Sequence, residues 1–422
     1  MIGIRNDVLF GFKEGDDNIA IEKLTSEIGE DHWFLQIINY IKNEALRVRI
    51  TDCFIQELSP VRVGIIKLMW EIPSFILDSS RITQESIINF VEKFSKIKRD
   101  KIFFSSTLDF SFGVFGYGFY RINYSSDYRG AKLNIRVLNS IIPTLEETMF
   151  PTHYIRFLQE KVANKNIKFN ERQSIELGKL ESGGLIVHSG PTGSGKTTSM
   201  ASALHYYGNH VNGIVCCYEN PIEYWYVSPG YRSIINQYEI GIDIKPSMDG
   251  QESVFDVIKK HLLRNSPQIA MISEMRTSYE ITETMDIASR GHLLFTTMHA
   301  RNVIETLSVL INALRTERFL IATSLQAVVS QMLILNKHNR IVPLYEILIP
   351  NDQRFKTMIA SDKYSIEEIK ALLYIKNELD YKTFYSFLKC VDDRVNMKIL
   401  DKSEGEIIKN SIKQSLLISD DV

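Results

Sequence analysis

The stretch GLIVHSGPTGSGKTTSM, residues 184–200, constrains this chain more than any other feature. It carries the pattern GxxxxGK[ST] at Gly190, Gly195, Lys196 and Thr197. An apolar run, Leu185–His188, precedes the pattern, and a helix-compatible segment begins at Thr197. A glycine-rich turn leading from a buried strand into a helix belongs to an α/β sheet. Glycines let the backbone curl so that successive N–H groups point inward, and the helix start adds partial positive charge. The residues Gly190, Pro191, Thr192, Gly193, Ser194, Gly195, Lys196, Thr197 and Thr198 thus form a candidate phosphate cradle. Lys196 would reach the β- and γ-phosphates of ATP, and the Thr197 hydroxyl would bind Mg²⁺. At average glycine usage a chain of this length matches by chance on the order of 1% of the time.

The bulk numbers exclude several classes. At 422 residues the chain is too long for one ordinary core. A 44% hydrophobic and 24% charged composition suits a folded globular protein rather than a disordered one. The formal net charge is -2, from 49 basic and 51 acidic side chains, so no direct nucleic-acid partner is expected. A helicase-type reading shares the loop but lacks a basic surface signal. Cys53, Cys216, Cys217 and Cys390 form no CxxC pair, which points to buried small hydrophobes rather than a zinc ribbon. The N-terminus MIGIRNDVLFGFKEGDD carries acids where a signal peptide would be apolar. The longest apolar stretch, Phe319–Leu335, is broken by Thr323, Ser324, Gln326, Ser330 and Gln331. That is too polar for a spanning helix. A cytoplasmic protein is expected, with membrane association only through partners.

Along the chain, 102–138 alternates apolar and polar residues around a turn at Ser125–Gly130, as antiparallel strands do. The segment IIPTLEETMFP, bounded by Pro143 and Pro151, reads as a hinge. Apolar runs at 185–188, 214–218, 269–272 and 293–297 then alternate with helical periodicity, predicting a parallel α/β sheet. The expected division is 1–142, a hinge at 143–151, an α/β domain at 152–350 and a helical region at 351–422.

Phosphoryl transfer to water needs acids on neighbouring strand ends. CCYENPIEY offers Glu219 and Glu223, and QIAMISEMR offers Glu274 followed by Arg276. Each acid alone would read as a solvated loop residue; its place just past a strand end favours the functional reading. In GHLLFTTMHA, His292 precedes a strand and His299 follows it. Seven residues of extended chain separate them too widely for one metal ion. His299 at the strand end is the candidate γ-phosphate sensor.

Together these segments resemble the PilT/GspE superfamily of secretion and pilus ATPases. GPTGSGKTT is similar to its Walker A box, ENPIE to its Asp box, SPQIAMISEMR to its Walker B box and GHLLFTTMHA to its His box. The resemblance spans roughly residues 50 to 360. It implies a PAS-like α+β domain at 1–142 ahead of a RecA-like P-loop ATPase domain. It further implies a hexameric cytoplasmic ring, peripheral at the inner membrane. ATP hydrolysis there would drive type IV pilus retraction or a IVB-like type IV secretion machine, through platform or secretion-complex proteins. Carried over by position, Glu223 activates water, Glu274 supports Mg²⁺ and the water, and His292 and His299 are the His-box pair. Arg121 and Arg136 contact the phosphates, while Arg264 and Arg276 link subunits or the site. Four positions depart from the pattern: Asn220, Gln268, Ser273 and Thr277. None removes Lys196, Glu223 or Glu274, so retained hydrolysis is expected. A weakly hydrolysing structural or regulatory subunit is the alternative.

Overall fold

A computed structural model describes residues 18–416 apart from 20, 30–31, 45–51, 66–67, 75, 96, 105–106, 115–117, 139–141, 171–172, 181, 221, 227–229, 242, 248–251, 339 and 376–378. The N-terminal MIGIRNDVLFGFKEGDD and the terminal SDDV therefore lie outside the described residues. The chain divides into two compact units. One comprises Met1–Ile141 with Glu223–Ser228, the other Ile142–Ile222 with Pro229–Val422.

The first unit is an α+β fold. Its strands are β1 (Asn18–Ile19), β2 (Asp52–Gln56), β3 (Arg62–Ile65), β4 (Leu68–Glu71), β5 (Thr107–Val114), β6 (Gly118–Asp127) and β7 (Gly130–Leu138). Among the described residues they form one sheet in the order β1-β5-β6-β7-β2-β3-β4, antiparallel except for the β1-β5 pair. The alternation expected around Ser125–Gly130 is present: Tyr120, Ile122 and Tyr124 point inward while Arg121 and Asn123 do not. Its helices are α1 (Ile21–Ile28), α2 (Trp33–Glu44), α3 (Gln84–Ser95) and α4 (Arg99–Phe104). Phe34 of α2 and Phe90 of α3 sit 4.7 Å apart between ring centroids, and both meet Phe112 of β5. Each such aromatic buries 150–250 Å² on the order of, which is what a short-helix unit needs for a core.

The second unit is built on a sheet in the order β12-β11-β13-β14-β10-β15-β16-β17. Ahead of it come helix α5 (Thr152–Glu160) and a separate hairpin, β8 (Val162–Asn170) and β9 (Gln173–Leu180). The four expected strands are β10 (Gly184–Ser189), β11 (Ile214–Glu219), β13 (Ile269–Ile272) and β14 (Leu293–Met298). With β12 (Ile234–Glu239) they run parallel. They are buried along almost their whole length because helices shield parallel strands on both faces. These are α6 (Lys196–His210), α7 (Val254–Asn265), α8 (Ser278–Ser289), α9 (Val303–Ala313) and α10 (Arg318–Ser324).

The four expected strands do form a parallel sheet, and it continues beyond them into strands of mixed direction. β15 (Leu325–Leu335) lies parallel to β10, but β16 (Ile341–Leu348) and β17 (Phe384–Tyr385) continue antiparallel. The long apolar stretch after Phe319 is thus a helix end followed by a strand, and its polar members Ser330 and Gln331 are buried. Among the described residues no helix is long and apolar enough to cross a membrane. The tail is mainly helical, as expected: α11 (Gln353–Ala360), α12 (Ile366–Lys370), α13 (Phe387–Asn396) and α14 (Lys402–Leu416).

Residues expected as a hinge are tied to the second unit. The Tyr345 hydroxyl donates to the Thr148 carbonyl at 2.7 Å, and Arg394 donates to the Met149 carbonyl at 2.6 Å. Phe150 packs on Tyr154 and Tyr345.

Candidate functional site

The site begins with β10, whose six residues are all buried. Burying Leu185, Ile186 and Val187 contributes roughly 1.5–3 kcal/mol each, so the strand delivers the next residue to a fixed place. That residue is Gly190, at φ 150°. A Cβ there would meet the Gln331 carbonyl oxygen at 2.4 Å and Ser194 Oγ at 2.5 Å. Gly195, at φ 86°, is the residue before α6, and a Cβ there would meet Gln331 Nε2 at 2.7 Å. The loop therefore closes against β15 in a way only glycine permits.

Lys196, the first residue of α6, is buried and donates to the carbonyls of Gly190 at 2.8 Å and Pro191 at 3.0 Å. Its ammonium thus lies inside the curl of the loop, at the positive end of a fifteen-residue helix. Ser194 Oγ is buried with no hydrogen-bond partner among the described residues. A buried hydroxyl of that kind is costly unless something accepts its proton, which a phosphate oxygen does. Pro191, Thr192 and Gly193 form the exposed lip, and Thr197 and Thr198 are half-buried on the helix.

Neighbouring strand tips bring the acid and the histidine together. Ser189 pairs with Met298 and the Gly190 amide donates to the Met298 carbonyl at 3.3 Å, so His299 leaves β14 beside the loop. β13 lies on the far side of β14 and ends just before Ser273 and Glu274. The Thr297 hydroxyl donates to the Ser273 carbonyl at 2.6 Å and locks the two tips. Glu274 Oε1 then meets His299 Nε2 at 2.9 Å, while Oε2 accepts from Arg276 Nε at 2.8 Å. Glu274 is largely buried, but His299 and Arg276 are more than half exposed. Next along, Glu219 ends β11, buried, and accepts from Gln237 Nε2 at 2.9 Å.

His292 has a different surrounding. It stands at the opposite end of β14, its Nδ1 2.6 Å from the Pro267 carbonyl. Arg264 lies in the last turn of α7, exposed. Of the departures from the family pattern, Gln268 receives the Ile214 amide at 2.7 Å, at the strand starts. Thr277 caps α8, its hydroxyl accepting from the Glu280 amide. Asn220 is exposed after β11.

Arg121, Arg136 and Glu223 fall in the first unit. Arg121 and Arg136 face each other across β6 and β7. Directly opposed like charges repel. Asp109, 3.7 Å from Arg121, and Asp52, 3.4 Å from Arg136, offset that repulsion. Glu223 is half-buried.

Several supporting residues escaped sequence reasoning. Gln331 Oε1 accepts from the Ser199 hydroxyl at 2.7 Å, bracing α6. Ser189, Ser330 and Thr306 form a buried hydroxyl chain under the loop, with links of 2.7 and 2.9 Å. The available signal was Ser330 and Gln331 standing inside an apolar run, where a polar residue needs a partner.

A family model described as type II/IV secretion system protein matches residues 126–366, more than half of the chain. The chain belongs to this family. Among curated relatives, the YggR protein of Escherichia coli K12 is 31% identical over 225 residues, 52% of this chain and 60% of the relative. The type IV pilus retraction ATPase PilT of Pseudomonas aeruginosa is 29% identical over 260 residues, 60% of this chain and 66% of PilT. The pilus ATPase PilU of the same organism is 28% identical over 287 residues, 65% of each chain. The matches thus span less than two thirds of these relatives' lengths. Solved structures of family members share the fold. The pilus retraction motor PilT with bound ADP superimposes with a TM-score of 0.65 at 24% identity, over 86% of this chain and 93% of PilT. The ATPase DotB of Legionella pneumophila gives 0.68 at 18% identity, over 89% and 95%. The fold class is therefore that of this family: a RecA-like α/β unit preceded by an α+β unit, with a helical C-terminal region.

Proposed function

We propose that this chain is a motor ATPase that hydrolyses ATP to drive type IV pilus retraction or a IVB-like type IV secretion machine. The observation that supports this most is the row of strand tips: the loop around Lys196, then His299, then Glu274 on adjacent strands. In this reading the chain works as a hexameric ring, cytoplasmic and peripheral at the inner membrane, through platform or secretion-complex proteins.

Each residue has a defined task. Lys196 exchanges the carbonyls of Gly190 and Pro191 for β- and γ-phosphate oxygens, and Ser194 Oγ gains an acceptor. Positive charge held in place before the reaction stabilises the charge that develops during it. Glu274, oriented by His299 and Arg276, aligns the attacking water. From the family resemblance, Glu223 is the base, and Arg121 and Arg136 supply charge to the phosphates.

Magnesium fits the donors present. It prefers oxygen, keeps several waters, and needs only one or two protein ligands beside phosphate. Thr197 supplies a hydroxyl. Glu274, with both oxygens engaged by neighbours, is suited to act through a bound water. Bound there, the ion would neutralise charge between the β- and γ-phosphates.

The test is Mg²⁺-dependent ATP hydrolysis by the purified full chain. Lys196→Ala is expected to lower turnover by roughly 10²–10³-fold, and Glu223→Ala to lower it sharply. Normal turnover in both variants would refute the assignment. Sedimentation with and without nucleotide tests the ring, and a chain that stays monomeric removes it. The weakly hydrolysing reading draws support from the saturation of Glu274 by two partners. Tight ADP binding without turnover, even when assembled, would select it.

A further inference from the structure

We infer that Glu346 is a positioning residue for this reaction: it pins the loop that carries His299 and thereby sets the contact between His299 and Glu274. The inference rests on the ATPase reading of the site.

Glu346 lies on β16 and is fully buried. Its Oε2 accepts the backbone N–H of Val303 at 2.7 Å. Val303 is the first residue of α9, four positions beyond His299. The other oxygen, Oε1, and the buried Tyr374 hydroxyl make no hydrogen bond of standard length and angle among the described residues, although Tyr374 and the Phe387 amide both act on the carboxyl. A carboxylate is an expensive residue to bury for packing alone.

The start of α9 does not need Glu346 as an ordinary cap. Asn302 already fills that role, accepting the Glu305 amide at 2.8 Å. What Glu346 adds is a tie to a different element, 43 positions away in sequence. A second tie points the same way: Thr306 Oγ1, one turn into α9, donates at 2.9 Å to Ser189 Oγ, next to Gly190.

His299 has little else to hold it. Its side chain is 52% exposed, so burial fixes neither the ring nor its 2.9 Å contact with Glu274. The loop from His299 to Asn302 is therefore placed by its two ends and by the Arg301 amide, which donates to Glu305 of α9 at 2.7 Å. One end is β14, held in register by β10 and β13. The other is Val303, held by Glu346.

The test compares Glu346→Gln and Glu346→Leu in the full chain, with Val303→Pro as an independent variant. Glutamine keeps an oxygen acceptor and leucine removes it. Proline suits the first helical position yet lacks the N–H, so it deletes the same bond from the other side. Glu346→Leu is expected to lower kcat at least ~10-fold while the KM for ATP and the affinity for ADP stay within about twofold. Glu346→Gln should stay within about threefold of wild type. Val303→Pro should reproduce the leucine defect, and combining the two should add little. Amide exchange across 301–305 in the nucleotide-free protein should accelerate in the leucine variant and not in the glutamine variant.

Unchanged kcat or unchanged loop exchange in Glu346→Leu would overturn the inference. So would parallel losses of kcat and ADP affinity, or an equal defect in Glu346→Gln, since both mark general destabilisation. If Glu346→Leu does not fold, Val303→Pro carries the same comparison. If the wild-type protein hydrolyses no ATP, the functional reading fails, and the exchange comparison alone decides whether Glu346 pins the loop.

Discussion

The phosphate loop after β10 and the Glu274–His299 pair beyond β13 and β14 sit side by side, yet different forces shape them. Main-chain geometry makes the loop: Gly190 and Gly195 in conformations closed to other residues, pressed against Gln331. Side-chain bonds make the pair: two contacts on Glu274 from groups at least half exposed. Exposed ion pairs are worth about 0–1 kcal/mol and weaken with salt. Main-chain curls respond to neither salt nor pH. The comparison separates a preformed grip on phosphate from an adjustable acid that a ligand can reorient.

The largest effect should come from breaking the grip. Gly190→Ala puts a Cβ 2.4 Å from a backbone oxygen, so the loop must move as a whole. Affinity for ADP with Mg²⁺ should fall by roughly 10³-fold, about 4 kcal/mol, by calorimetry. The loss should be the same at low and high salt. Retained affinity would mean that the loop is as adjustable as the pair.

The legibility of the two regions follows the same split. Glycine spacing and the apolar runs at 185–188 and 293–297 are local signals, so the loop, its strand and the neighbouring strand could be read directly. Lys196 and the acid of QIAMISEMR could be read too, because a charge just past an apolar run has few other places to be. What supports them is not local. Gln331 reaches Ser199 across 132 positions and Glu346 reaches Val303 across 43, and neither partnership leaves a pattern in the sequence. The antiparallel strands β16 and β17 were missed for a related reason: pairing direction depends on how the chain returns. Gln268 and Thr277 looked like lost functional residues; one holds the Ile214 amide and the other caps α8.

A second prediction concerns what lies beneath the adjustable side. Burial lifts the Glu346 carboxyl from 4.5 to about 7, with the Val303 and Phe387 amides opposing the lift and Tyr374 beside it. The folded protein then keeps a proton that the unfolded chain releases between about pH 4.5 and 7. Stability therefore falls as pH rises through that window and stays low above it. The contribution is roughly 3 kcal/mol across the window. His188, buried with its pKa pushed down to about 3, slopes oppositely, losing stability as pH falls below 6.5. Subtracting the Glu346→Gln denaturation curve from wild type isolates the glutamate. A difference that does not change between pH 4.5 and 8 would show that burial places no penalty on the Glu346 charge.

The smallest effect sharpens the comparison at the tip itself. Glu280 in the first turn of α8 accepts the amides of Arg276 at 2.7 Å and Thr277 at 3.0 Å, and the Thr277 hydroxyl in turn accepts the Glu280 amide at 3.2 Å. This reciprocal cap fixes the backbone of Arg276, whose side chain grips Glu274. Thr277→Ala should cost about 1 kcal/mol in urea denaturation at constant slope. Thr277→Asp should be near neutral, because aspartate caps equally well. If hydrolysis stays within about twofold while stability drops, side-chain contacts alone hold Glu274. A kcat loss larger than the loss of stability would place part of the control in the α8 cap, and the tip would then share the main-chain character of the loop.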